Sequence, residues 1–230
     1  MGFGPKGWGL LLLQATLMTV LVSCTAFALG SVLGALVAWA RLAGNRAVQV
    51  AADAYATVLR GIPDLLVIYL LYFGGSTALT ALAHALGAKG FVGVDSFAAG
   101  AIAVGIISGA YQSEIFRGAF HAIAKGELEA ARSVGMARGL LFRRIIVPQA
   151  LRFAIPGLGN VWQLALKESA LISVVGLTEI LRQAQVGAGS TRQPFAFFVT
   201  AAVLYLILST ISGWGFQRVE IVGMRGVRRI

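Results

Sequence analysis

Charge is absent from Gly7 to Ala40, and the whole chain of 230 residues holds only nine acidic residues, two histidines and one cysteine. A single Cys24 excludes an internal disulfide, and His84 and His121 stand too far apart for metal-ligand spacing. No G-x-x-x-x-G-K-[ST] occurs, so the chain has no phosphate loop with which to hold a nucleotide. Neither Ser108 nor Ser113 lies in a nucleophile elbow, and no local catalytic pattern surrounds the histidines, which argues against an enzyme. The first twenty residues lack a short apolar core followed by a cleavage site, and the apolar run continues to Ala40. We therefore read it as a retained span. Position 6 is Lys where a myristoylation signal prefers a small hydroxyl residue.

What is present is apolar. Hydrophobic residues make up 58% of the chain, charged residues 12%, and the mean hydropathy is +0.82, which points to lipid as the main solvent. A hydrocarbon core about 30 Å thick takes roughly 20 residues per helix, so the length suits five or six spans in one domain over 1–230. The net charge of +10 would suggest nucleic acid in a soluble protein. Here the basic residues gather at the ends of apolar runs, as membrane topology and anionic lipid require, and no nucleic acid partner is expected.

Read in order, the chain is all-α with about five transmembrane helices. The first covers Gly7 to Ala40, with Trp8 interfacial and Gly30 and Gly34 spaced for close helix contact. A second helix runs from Val50 to Phe73, kinked at Pro63 and ended by Gly74, Gly75 and Ser76, and Thr77 to Asp95 reads as a loop holding at most a short helix. Further spans cover Phe97 to Phe116, Leu151 to Leu177 with a kink near Pro156, and Pro194 to Phe216. This order puts thirteen of the nineteen basic residues on one side, with Lys6, Lys89, Arg182 and Arg192 opposite. Excess Lys and Arg stay inside, so the amino terminus is expected outside and the carboxy terminus in the cytoplasm.

Between these runs lies Lys125 to Leu158, the one long segment dense in charge. As a helix, E-L-E-A-A-R-S-V-G-M-A places Leu128, Ala131 and Gly135 on one face and Glu129 and Arg132 elsewhere. Gly135 permits a bend, and Leu140 to Val147 is expected to form a second short helix ended by Pro148. Glu129-Ala130-Ala131, Gly135 and Ile145-Ile146-Val147-Pro148 resemble the EAA motif in the membrane-spanning subunits of binding-protein-dependent ABC importers. RGIPDLL (60–66), GAYQSEIFRGAF (109–120), the run from Pro148 to Leu177 and EILRQAQ (179–185) are similar to the histidine, lysine-arginine-ornithine and opine permeases of that family.

The resemblance implies a type I permease fold in a bacterial inner membrane, with a coupling loop over about 117–152 whose contacts are Glu129, Ala130, Ala131, Arg132, Gly135 and Pro148. It implies as partners two ATPase subunits carrying ATP and Mg, a second permease subunit identical or paralogous to this one, a periplasmic solute-binding protein and an amino acid substrate. No cofactor is expected in this chain.

Ionisable residues inside spans are functional candidates because an unpaired buried charge is costly. Arg60, Asp64, Glu114, Lys167 and Glu168 form that set, with Tyr111 beside them. A cationic amino acid would be served by Asp64, Glu114 or Glu168, and a zwitterion also needs a donor such as Lys167. Structural pairing, for instance Glu114 with Arg117 at i, i+3, is the alternative. A membrane enzyme or a non-transporting assembly subunit is the alternative to an importer.

Overall fold

The computed structural model describes residue 2 and residues 7–223, and among these it holds ten α-helices and no strand. Lys6, Arg225, Arg228 and Arg229 of the charge pattern lie outside the described residues. In order the helices are α1 (Gly9–Ala43), α2 (Arg46–Gly61), α3 (Asp64–Tyr69), α4 (Gly75–Ala85) and α5 (Ser96–His121). They continue as α6 (Lys125–Ser133), α7 (Arg138–Leu141), α8 (Val147–Glu168), α9 (Ile180–Thr191) and α10 (Pro194–Gly223). Three stretches are long and apolar enough to cross a membrane: α1, Asp64–Ala85 and α10. Leu13, Leu17, Leu36, Trp39, Leu206, Ile211 and Trp214 lie exposed on α1 and α10, which suits lipid and not water.

Packing of α1 on α5 is the spine of the molecule. Ala15, Thr19, Val22, Ala26, Gly30, Gly34 and Ala38 recur every three to four residues of α1 and are buried. A Cβ at Gly34 would sit 2.8 Å from Gln112 Cβ and 3.0 Å from the Gly109 carbonyl, so only glycine lets the backbones meet. The closeness exposes backbone and hydroxyl groups to Gln112, which is fully buried. Its amide donates to the Phe27 carbonyl (3.2 Å) and Ser108 Oγ (2.9 Å), and its oxygen accepts from Ser31 Oγ (2.7 Å). Gly34→Leu is expected to separate α1 from α5 and cut the yield of folded protein from detergent several-fold, read by size-exclusion chromatography; an unchanged monodisperse peak would refute this packing.

Around that spine Val22, Ala26, Ile68, Ala103, Val104, Ala165 and Ile172 join α1, α3, α5, α8 and the turn after α8 into one core. A second cluster, Ile180, Ala184, Ala188, Phe197 and Ala201, closes the α9–α10 hairpin, with Trp8 edge-on to Phe197.

Four sequence expectations are corrected. The helix expected from Val50 to Phe73 is two helices, because Pro63 keeps Ile62 extended (ψ 139°) and cannot donate to a preceding carbonyl. Gly74, Gly75 and Ser76 end nothing: a π-helical turn over Leu70–Gly74 runs into α4, so the expected loop begins after Ala85. Residues 92–94 fold back on α4, where Thr80 Oγ1 accepts from the Val92 amide (3.0 Å) and Ser76 Oγ from the Val94 amide (3.0 Å). The span from Leu151 to Leu177 passes Pro156 as continuous α-helix and breaks instead after Glu168, into a 3-10 turn (Ser169–Val175) ended by Gly176 in the left-handed region (φ 95°). Pro148 does not end a helix; it occupies the first turn of α8, where a missing N–H costs nothing, and a π-helical turn (Phe142–Ile146) joins α8 to α7.

Candidate functional site

Both breaks carry a carboxylate. Asp64 opens α3 directly after the extended Ile62-Pro63 pair, and Glu168 is the last residue of α8. The two carboxylates lie within electrostatic reach of each other, and Tyr111 of α5 lies within reach of both and of Arg60. Glu168 is 5% exposed and neither of its oxygens has a hydrogen-bond partner among the described residues. A buried carboxylate facing a second carboxylate, with no donor of its own, is a costly arrangement that a cation seated between them would relieve. Lys167 does not supply that cation: it is exposed while Leu166 and Glu168 on either side are buried.

One turn along α5 from Tyr111, Glu114 sits in a different environment. Its Oε1 accepts from Arg41 Nη1 (2.9 Å) at the end of α1 and from Arg60 Nη2 (2.9 Å) at the end of α2, and its Oε2 accepts from Arg117 Nη2 (2.9 Å). Arg41 Nε also reaches Asp53 Oδ1 (2.5 Å). Glu114 thus gathers three guanidiniums and pins α1, α2 and α5 together, and its pairing with Arg117 has the i, i+3 spacing read from the sequence.

A third feature is the knob at α6. Leu128 is half-buried and Ala131 is 5% exposed, whereas Glu129, Ala130 and Arg132 are exposed. Gly135 does not share the face of Leu128 and Ala131, as the helical spacing suggests, because the helix has ended before it. It takes φ 77°, its N–H donates to the Arg132 carbonyl (3.0 Å), and the Met136 N–H donates to the Ala131 carbonyl (3.1 Å). This pair of bonds is a Schellman stop, which requires a left-handed residue and therefore favours glycine. Val134 is left 77% exposed at the tip, and a hydrogen bond from Gln149 Nε2 to Glu127 Oε2 ties the knob to α8.

A polar knob between apolar helices and two carboxylates at helix breaks are the features that set this chain apart from a plain helical bundle. Residues 30–220 match the family model of the binding-protein-dependent transport system inner membrane component. The chain belongs to this family. The permease is 57% identical over 229 residues to an octopine transport system permease protein of Agrobacterium tumefaciens (strain Ach5), covering 100% of this chain and 97% of that one. It is 39% identical over 206 residues to the histidine/lysine/arginine/ornithine transport system permease protein of Escherichia coli (strain K12), covering 90% of each. Among solved structures it is similar to an amino acid ABC transporter crystallised with histidines, with a TM-score of 0.78, 30% identity and coverage of 91% of this chain and 92% of that one. These relatives are permeases, and the permease is a transport component of an ABC importer rather than an enzyme.

Of the residues singled out from the sequence, Asp64, Tyr111 and Glu168 come together, Glu114 stands next to them in its arginine cluster, and Lys167 is apart. Sequence reasoning passed over Glu179. It is fully buried at the start of α9, where its carboxylate accepts from the amides of Leu181 (2.8 Å) and Arg182 (2.7 Å) and from Tyr205 Oη (2.7 Å). The carboxylate thus joins α9 to α10, and the following Ile180 N–H, which donates to Thr19 Oγ1 (3.2 Å), ties the same helix start to α1. A helix-start carboxylate after Gly176-Leu177-Thr178 was the available signal.

Proposed function

We propose that this permease passes opines or basic amino acids across the bacterial inner membrane and that Asp64 and Glu168 hold the cargo's cationic group on the way. The observation that carries the reading is the Glu168 carboxylate, buried, unpartnered and facing Asp64. The names of the relatives, octopine in one and histidine, lysine, arginine and ornithine in the other, are of molecules that all carry such a group or gain one on protonation.

In this reading five stretches cross the bilayer: α1, α3 to α4, α5, α8 and α10. The amino terminus faces the periplasm and the carboxy terminus the cytoplasm, in keeping with the excess of Arg and Lys at the end that holds Arg41, Arg117 and the α6 knob. Partner ATPase subunits, which bring ATP and Mg, seat on Glu129, Ala130, Arg132 and Gly135, and their closure moves α8 through the α6–α7 connection and Pro148. A second permease subunit covers the exposed apolar flank of α3, where Leu66, Leu70 and Phe73 lie open. A periplasmic solute-binding protein delivers the cargo.

The test is uptake by the permease reconstituted in proteoliposomes with its own ATPase, partner permease and binding protein. Labelled octopine or arginine should accumulate with ATP inside, and a tenfold excess of leucine should not compete. Equal uptake of a neutral or anionic amino acid would overturn the cation reading.

A further inference from the structure

Building on that reading, we propose that Arg60 takes the carboxylate of the cargo, so that a basic amino acid or opine lies with its side-chain cation on Asp64 and Glu168 and its carboxylate on an anion site, Arg60 with the Tyr111 hydroxyl.

A zwitterion needs a donor as well as an acceptor, and the sequence offers two basic residues near the carboxylates. Lys167 is exposed and makes no ion pair among the described residues. Arg60 is four residues from Asp64, in the last turn of α2 before the break, and is held against α5 one turn from Tyr111. Its Nε donates to the Ala56 carbonyl (2.9 Å) and its Nη2 to Glu114 Oε1 (2.9 Å), which fixes the plane of the guanidinium. A guanidinium has five N–H groups, so three are uncommitted; Nη1 makes no hydrogen bond among the described residues, and the side chain is 36% exposed. That is a planar, pre-oriented fork of the kind that binds a carboxylate through two parallel bonds.

Within the arginine cluster, Arg41, Arg60 and Arg117 share two carboxylates, Glu114 and Asp53. Since Arg41 and Arg117 also hold Glu114, Arg60 is not needed to keep that carboxylate paired. A guanidinium fork on one side of the break and a carboxylate pair on the other match a basic amino acid or an opine, and discriminate against an amine that lacks a carboxylate.

The test measures equilibrium binding to the assembled permease–ATPase complex in detergent, without binding protein, using arginine, arginine methyl ester and agmatine. Wild type is expected to bind arginine at least tenfold more tightly than the ester or agmatine. Arg60→Gln should bring all three within twofold of one another by weakening arginine alone, Arg60→Lys should retain part of the preference, and Tyr111→Phe should narrow it. A residue that only braced the helices would weaken all three ligands together. Retention of the tenfold preference by Arg60→Gln, an equal loss for all ligands, or no preference in wild type would each overturn the assignment. If Arg60→Gln does not assemble, the same comparison on Arg60→Lys and Tyr111→Phe decides, and an unchanged preference in both overturns it. Failure of wild type to bind arginine, histidine or octopine while the complex still hydrolyses ATP would overturn the underlying substrate reading, and this assignment with it.

Discussion

Glu168→Gln is expected to reduce uptake of a cationic cargo at least tenfold while raising the thermal stability of the assembled complex. The two effects share one cause. Glu168 is buried beside Asp64 without a hydrogen-bond partner, so in the empty protein its ionised form is penalised, and replacing it by a neutral side chain of the same shape removes that penalty. In the proposed function a cationic cargo is the missing partner. A hydrogen bond to a charged group is worth about 1.5–3 kcal/mol, which corresponds to roughly a ten- to hundredfold change in affinity. Thermal unfolding of the detergent-purified complex and uptake in proteoliposomes read the two arms separately. Loss of stability with loss of uptake would identify Glu168 as a structural residue, and unchanged uptake would remove it from the path. Asp64→Asn should reduce uptake in the same direction with a smaller gain in stability, because Asp64 is only half-buried.

Gly135→Glu is expected to lower recovery of the ATPase subunits with the permease about tenfold and leave membrane insertion normal. A Cβ at Gly135 meets nothing within 4 Å, so no clash is involved. The cost lies in the backbone: φ of 77° is unfavourable for an L-residue by roughly 1–2 kcal/mol, and the Schellman stop that sets the direction of the chain leaving α6 depends on it. Relaxing that strain reorients Val134 and Met136 at the tip, and a carboxylate is added to the proposed docking surface. Gly135→Asn, which tolerates the left-handed region, should retain most of the association. Equal loss for Asn and Glu would trace the effect to the glycine's small size, and normal recovery with Glu would remove the turn from the coupling surface.

Much of this was legible in the residue order. Uninterrupted apolar runs of this length have no alternative to helices in lipid, because every backbone polar group must be satisfied within the segment. The spacing of Glu129, Gly135 and Pro148 marked the knob, and Gly30 and Gly34 marked the α1–α5 contact. The helix ends at the two breaks that carry Asp64 and Glu168 were less legible. Pro63 and Pro156 look alike in sequence, yet one separates two helices and the other lies inside one. Pro63 follows Gly61 and Ile62 at the end of an amphipathic helix, whereas Pro156 sits in a helix clamped over its length by α5 and α10.

Composition and spacing by themselves determined that the chain is helical and built for a membrane, and the order Glu129-Ala130-Ala131, Gly135 and Pro148 carried the resemblance to importer permeases, since those properties depend on runs, periods and short-range turns. Only the tertiary structure decided how the charges divide. Glu114 is bound by three arginines from three helices, Lys167 points away, and Glu168, one residue further along α8, faces Asp64 with no donor. Neighbouring residues on a helix point about 100° apart, so the choice between a paired carboxylate and a vacant one rests on which helix stands opposite, and that is settled by the glycine-mediated approach of α1 to α5 and by the breaks at Pro63 and after Glu168.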